Sequence, residues 1–233
     1  MRKLFRQTFT LKETRCNIAA DRQNGLTAAV ESIKRNREQL EQYGKEKPKF
    51  FWSLKPVPIP QQPLVAKLMA EAAANAKVGP MAAVAGVLAD LAVKDMLSAG
   101  CKTAIVENGG EVAAVSDEPV DVAFVAGDEP LSKKLCFRLT EFPAGIGTSS
   151  GRFSHALSFG DAEAATVFCK NAGLADAAAT AVCNAVKGDD VDEAISRGVK
   201  VAKAIQGVEG VFILYKNRVG TWGKVPQLVK IKP

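Results

Sequence analysis

Gly145-Ile-Gly-Thr-Ser-Ser-Gly151, with His155 just beyond it, leads into Ala164-Ala-Thr-Val-Phe-Cys169 and then into Leu174-Ala-Asp-Ala-Ala-Ala-Thr-Ala-Val182. The first segment has the glycines and hydroxyls of a turn that holds an anion on its backbone N–H groups. The second is a short apolar run of the kind that forms a buried strand. The third is an alanine-rich helix start on which Asp176 and Thr180, four residues apart, share one face. Small neighbours leave room for a bulky ligand, and a carboxylate with a hydroxyl suits magnesium, which completes its octahedron with water and phosphate oxygens. Taken alone, each piece has a plain structural reading: an Asp near a helix start complements the dipole, and Gly and Ser dominate surface turns.

Working outward, strand signals recur at 103–107, 111–115, 120–125 and 134–140, separated by Asp-Glu-Pro and Gly-Asp-Glu-Pro turns, as in an antiparallel meander. Asn108-Gly109-Gly110 between two of them is a hairpin signal. Its functional reading is bare backbone on which a ring or phosphate rests. Beyond the helix at about 174–187, a second helix at 191–206 and strands at 211–215 and near 225–231 complete the chain. Toward the N-terminus, 64–76 and 81–99 read as alanine-dense helices, Pro80 taking the first turn of the second. Gly79 just before it is either a helix entry or a pocket wall. Residues 55–63, Lys55-Pro-Val-Pro-Ile-Pro-Gln-Gln-Pro63, form an extended connector, because proline removes donors and restrains the residue before it. Leu26 to Tyr43 has helical amphipathic spacing, and 3–11 with 14–19 alternate as an edge hairpin. The sum is α+β: a largely antiparallel sheet with helices packed on one face, expected as one domain over 1–233.

The formal charge of +6 is uneven, with 13 Lys/Arg against 6 Asp/Glu in residues 1–55 and 18 against 19 in the rest. Such a segment attracts an anionic ligand, an acidic partner or nucleic acid, or is a solvated face. No nucleic-acid motif or aromatic platform accompanies it, which disfavours nucleic acid. No apolar run of membrane-spanning length and no signal-like segment is present, so a cytoplasmic protein without a membrane partner is expected. Five scattered cysteines, Cys16, Cys101, Cys136, Cys169 and Cys183, read as reduced core thiols. The alanine-rich helix at 81–99 could equally face a partner subunit in a homo-oligomer.

His155 is the sole histidine, and its imidazole titrates near neutrality, as a base for a hydroxyl nucleophile must. A Ser149–His155–Asp161 hydrolase triad lacks the G-x-S-x-G elbow and is not favoured.

Four segments in order, Val78-Gly-Pro-Met-Ala-Ala83, Val106-Glu-Asn-Gly-Gly-Glu-Val112, Gly147-Thr-Ser-Ser-Gly151 with His155, and Ala175-Asp-Ala-Ala-Ala-Thr-Ala181, give a chain that resembles the ApbE-like flavin transferase superfamily, most closely its short, cytosolic, uncharacterised branch. The resemblance implies the ApbE-like α+β fold, magnesium held by Asp176 and Thr180, and FAD or FMN held by Gly79, Asn108, Gly109, Gly110, Thr148, Ser149, Ser150 and Gly151. It further implies His155 as base and transfer of FMN from FAD to a threonine or serine of a protein acceptor, with release of AMP. The chain departs from the pattern where His155 leads into Ala-Leu-Ser-Phe-Gly-Asp rather than an Asp-Pro segment, in lacking an export signal, and in carrying Glu111 where aspartate is common. Two other readings share these residues: a non-catalytic binder of a nucleotide or other phosphate ligand, and an accessory factor in sulfur or cofactor metabolism.

Overall fold

Strand β1 (Phe5–Leu11) and β2 (Thr14–Ala20) pair as an antiparallel hairpin, and the long helix α1 (Gln23–Glu46) folds back across it. The structure is a computed structural model that describes residues 3–123, 135–151 and 159–230. The alternation read in the sequence explains the packing. Cys16, Ile18 and Ala20 of β2 point to α1, where Leu26, Ala29 and Ile33 meet them in one buried cluster. The opposite face of the hairpin carries Arg6, Thr8 and Thr10 against Ala19, Asn17 and Arg15.

A short helix α2 (Lys49–Trp52) and the connector precede α3 (Leu64–Ala76), which Lys77 ends with a left-handed φ of 59°. A 3-10 turn at Pro80–Ala83 then feeds α4 (Val84–Ser98), so the helix expected over 81–99 starts three residues late, with Pro80 in the turn that opens it. Next come β3 (Ala104–Asn108), β4 (Glu111–Val115), β5 (Val120–Ala123), β6 (Leu135–Leu139), β7 (Ala144–Ser149) and β8 (Ala164–Cys169). Helices α5 (Ala172–Ala185) and α6 (Val191–Ala204) precede β9 (Val208–Tyr215), β10 (Arg218–Gly223) and β11 (Gln227–Lys230).

The main sheet has the order β1-β2-β3-β4-β7-β8-β9-β10 with every neighbour antiparallel, and the helices lie on one of its faces. The expected α+β arrangement is what is found. Against the other face, over β4, β7, β8 and β9, sits the small sheet β11-β6-β5. Phe137 fills that interface, meeting Phe168 edge-on at 5.0 Å and Phe212 at 5.8 Å. Among the described residues, none of β1 or β2 joins the cluster under the small sheet. All five cysteines are buried and outside any disulfide, and burial pushes the Cys16 and Cys169 thiols up to about 12.

One element differs in kind from the sequence reading. Most of Gly145–Gly151, read as a turn, belongs to β7, a central strand between β4 and β8. None of Gly145, Gly147 and Gly151 has a positive φ. At Gly145 an added Cβ would lie 2.1 Å from the carbonyl carbon of Asn171, and at Gly147 2.4 Å from that of Ala175. The glycines are there so that the backbone of α5 can rest directly on the strand.

Candidate functional site

Helices α4 and α5 cross at their N-termini, where Gly86 passes the Ala172 carbonyl and Gly173 passes Val87, with no space for a Cβ at either glycine. Each helix supplies the acid that closes the other's first turn. Asp90 of α4 accepts from the amides of Ala172 at 2.9 Å and Gly173 at 2.8 Å, while Asn171 accepts from Leu174 at 2.9 Å. Asp176 of α5 accepts from the Gly86 amide at 3.0 Å and also bonds the amide of Ala85. Asp176 therefore lies beyond the first turn of its own helix, and the dipole it complements is that of α4.

Strands β3 and β4 meet at a two-residue turn in which Gly109 and Gly110 have φ of 67° and 113°. Asn108, read in the sequence as a turn residue, is instead the last residue of β3. Its side-chain amide donates to the Ala85 carbonyl at 3.0 Å, tying the turn to the start of α4. Glu111, the first residue of β4, is buried beside it and bonds the Thr148 amide.

A cavity of about 1850 Å³ wraps around this rim of the sheet. Its helix side is walled by Gly79, Ala85, Asp176 and Thr180. Gly109 and Gly110 form a sill, and the outer side carries Thr148, Ser150 and the outer face of the hairpin. Among the described residues nothing lies within 4 Å of the position a Gly110 Cβ would take, so the sill is bare at Gly110, while the Glu111 carboxylate comes within 3.6 Å of a Cβ at Gly109. Asp176, Thr180, Asn108, Gly109, Gly110, Thr148, Ser150 and Gly79 are thus brought together around one space. Gly79 has a structural duty as well, since the Ser53 carbonyl would lie 1.8 Å from a Cβ there. Ser149 does not line the cavity; strand alternation turns it with Gly145 and Gly147 toward the helices, where it is buried. Gly151 is likewise off the cavity wall, pressed against the Gly160 carbonyl. His155 lies outside the described residues.

Three carboxyls cluster on the helix side, all pushed up. Burial raises Asp176 to about 7 against the pull of its two amides, with Asp90 adding like charge. Burial takes Asp90 to about 6. Glu111 rises well above the usual carboxylate range through burial and then the charge of Asp176. Among the described residues no set of three His, Cys, Asp or Glu side chains forms a ready metal cage. Magnesium needs no such cage: one or two carboxylates, the Thr180 hydroxyl, water and ligand phosphate satisfy it, and a divalent cation would relieve the repulsion between Glu111 and Asp176. The donor set fits that ion.

Sequence reasoning passed over Glu111 as a site residue, although an acid opening an otherwise apolar strand, Glu111-Val-Ala-Ala-Val115, is a signal. It also passed over Asp90, which nothing in the sequence sets apart from a solvated helix acid. Trp52, 82% exposed at the end of α2, forms part of the cavity wall.

A family model described as AbpE bacteria matches residues 2–210. The UPF0280 protein of Methanocaldococcus jannaschii is 38% identical over 231 residues, covering 97% of this chain and 93% of the relative. That of Methanosarcina acetivorans is 39% identical over 232 residues, covering 99% and 91%. Among solved structures, the apo flavinyl transferase ApbE of Pseudomonas stutzeri matches with a TM-score of 0.60 at 14% identity, covering 95% of this chain and 94% of that one. The ApbE protein of Thermotoga maritima matches at 0.58 and 14%, covering 94% and 96%. At this identity the likeness is one of fold. Among the described residues no single helix is long and apolar enough to cross a membrane.

Proposed function

This chain belongs to the ApbE-like family that the AbpE bacteria model describes, and on that premise we propose that it binds a flavin nucleotide with magnesium and acts as an FMN transferase-like enzyme. The observation that carries the reading is the meeting of Asp176, Thr180 and Glu111 with the Gly109–Gly110 sill around one cavity. Asp176 and Thr180, joined by Glu111, would hold the cation, which when bound supplies positive charge against pyrophosphate oxygens. The hydroxyls of Thr148 and Ser150 would donate to the nucleotide, and Asn108 would keep the sill in place through the Ala85 carbonyl.

In the transfer, an acceptor serine or threonine oxygen bonds to the flavin-side phosphorus of FAD, the phosphoanhydride bond breaks, and AMP leaves with the bonding pair. The hydroxyl proton passes to a base, a role that rests on sequence alone for His155. The site of action proposed is the cytoplasm, and the partners proposed are the nucleotide and a protein acceptor.

Incubation with FAD and magnesium, with AMP followed by chromatography and covalent flavin on an acceptor by mass spectrometry, tests the reading. AMP release that stops in Asp176→Asn is the expected result. No binding of FAD, with or without magnesium, would sink it. Tight retention of FAD without AMP would instead favour the non-catalytic binder.

A further inference from the structure

We propose that Arg6 and Arg15 form an oxyanion subsite at the outer end of the cavity, which takes a second anionic group, phosphate or carboxylate, on the small-molecule ligand. The proposal rests on the reading that the cavity is a small-molecule site, and it adds where the far end of the ligand is held.

The two arginines lie on the outer face of the hairpin, and both line the cavity. Arg15 adjoins the sill, because its carbonyl accepts from the Gly109 amide at 3.0 Å. Arg6 pairs with Ala19, four residues along β2 from Arg15, which separates the two by about 14 Å of strand. Between them a polar row crosses three strands: Thr8 bonds Asn17 at 3.1 Å, Asn17 bonds Glu107 at 2.6 Å, and Glu107 accepts from the Gly110 amide at 2.7 Å. This row leads from the arginines to the sill and so to the acidic end of the same cavity.

Among the described residues, the carboxylates nearest the pair have other partners, although Glu107, held only by neutral amides, keeps its charge between the arginines and the sill. Glu107 is held as just described, Glu13 bonds Arg37 at 2.8 Å, and Glu41 bonds Lys12 at 2.7 Å and Arg37 at 3.3 Å. Asp121 takes a two-pronged bond from Arg138, 2.7 Å on each arm. Among the described residues, Arg6 and Arg15 are left without an ion-pair partner, unlike Lys12, Arg35 and Arg37 of the same basic segment. A guanidinium fork is suited to two oxygens of one phosphate or carboxylate. Among the described residues the cavity thus has buried carboxyls on the helix side and, on the sheet side, two guanidinium groups without an ion-pair partner flanking the amide-bound Glu107. A ligand that carries a cation-binding end and a separate anionic end matches that polarity.

The test is isothermal titration of inorganic pyrophosphate, and separately of citrate, into the full chain in metal-free buffer containing a chelator. Wild type, Arg6→Gln, Arg15→Gln and the exposed helix control Lys200→Gln are compared, with circular dichroism confirming the fold. Binding of at least one anion to wild type and to Lys200→Gln, weakened about tenfold in either arginine variant, is the expected result. Pyrophosphate alone binding assigns a phosphate, and citrate alone a carboxylate. No binding of either anion to wild type, or arginine variants and the lysine control behaving alike, overturns the subsite. Failure of FAD to bind while arginine-dependent anion binding persists would overturn the flavin reading and leave the subsite standing.

Discussion

Asp90 and Asp176 sit on crossing helices, and each closes the start of the helix that bears the other. The exchange fastens α4 to α5 at the point where the cavity needs an acid, so that fold and site share one carboxylate. Its energetic consequence is a charge problem: both acids and their neighbour Glu111 are pushed up by burial.

Asp176→Asn separates the two duties. Asparagine keeps an oxygen for the Gly86 amide and removes the buried charge, so the metal-free variant should melt at or above the wild-type temperature at pH 8. Added magnesium should raise the melting temperature of wild type and leave that of the variant unchanged. Asp176→Ala, which also loses the cap, should cost about 1–2 kcal/mol. Thermal melts with and without magnesium decide the point, and an Asn variant that still responds to the metal would contradict it.

Stability should depend on pH with an unusual sign. Asp90 and Asp176 bind protons more tightly folded, at about 6 and about 7, than unfolded, where both have the ordinary value of 3.8. The folded chain therefore holds more protons between pH 4 and 7, and metal-free stability falls as pH rises through that window. Because Asp176 borders the cavity and Asp90 is only half-buried, the fall is on the order of 1–3 kcal/mol. Urea melts at pH 5 and pH 8 in a chelating buffer measure it, and Asp90→Asn should flatten part of the slope.

Gly147→Ala should be among the most damaging single-atom additions in the chain. Its Cβ would lie 2.4 Å from the backbone of Ala175, where no rotamer change can give way. A loss of about 3 kcal/mol or more, or failure to fold, is expected. Gly110→Ala meets open space and pays only for its φ of 113°, about 1–2 kcal/mol. Denaturant midpoints of the two variants give the comparison, and equal losses would refute it.

Asn108→Ala should cost about 1 kcal/mol by removing its bond to the Ala85 carbonyl, and should loosen the Gly109–Gly110 turn. Hydrogen exchange at the amides of Gly109 and Gly110 reports the loosening, which a purely global destabilisation would not confine to that turn.

Periodicity was enough to read most of the frame. The helix at 64–76 and the strands at 111–115 and 164–169 have the boundaries that apolar spacing and turn residues imply. The failure at 145–151 is instructive, because Gly-Ile-Gly-Thr-Ser-Ser-Gly has turn composition for a reason that only packing exposes: at Gly145 and Gly147 a helix backbone occupies the space where side chains would be. Strand β10 escaped notice because Arg218-Val-Gly-Thr-Trp-Gly223 is an exposed edge with weak apolar alternation. In the site, Asp176 and Thr180 were visible as a helical pair. The contribution of Glu111 and the placement of Arg6 and Arg15 depend on strand register across the sheet, which spacing along the chain does not encode.

At Gly145 and Gly147 the strand meets its helix main chain to main chain, with no side chain to act as a shim. Where α5 rests on Gly145 and Gly147, the separation is set by peptide thickness, and substitutions elsewhere in the core cannot reset it by sliding the layers apart. The reactive end of the cavity thereby inherits a fixed height above the sheet. Ligand preference in this fold can then diverge at the sheet-side rim while the helix-borne carboxylate stays where it is.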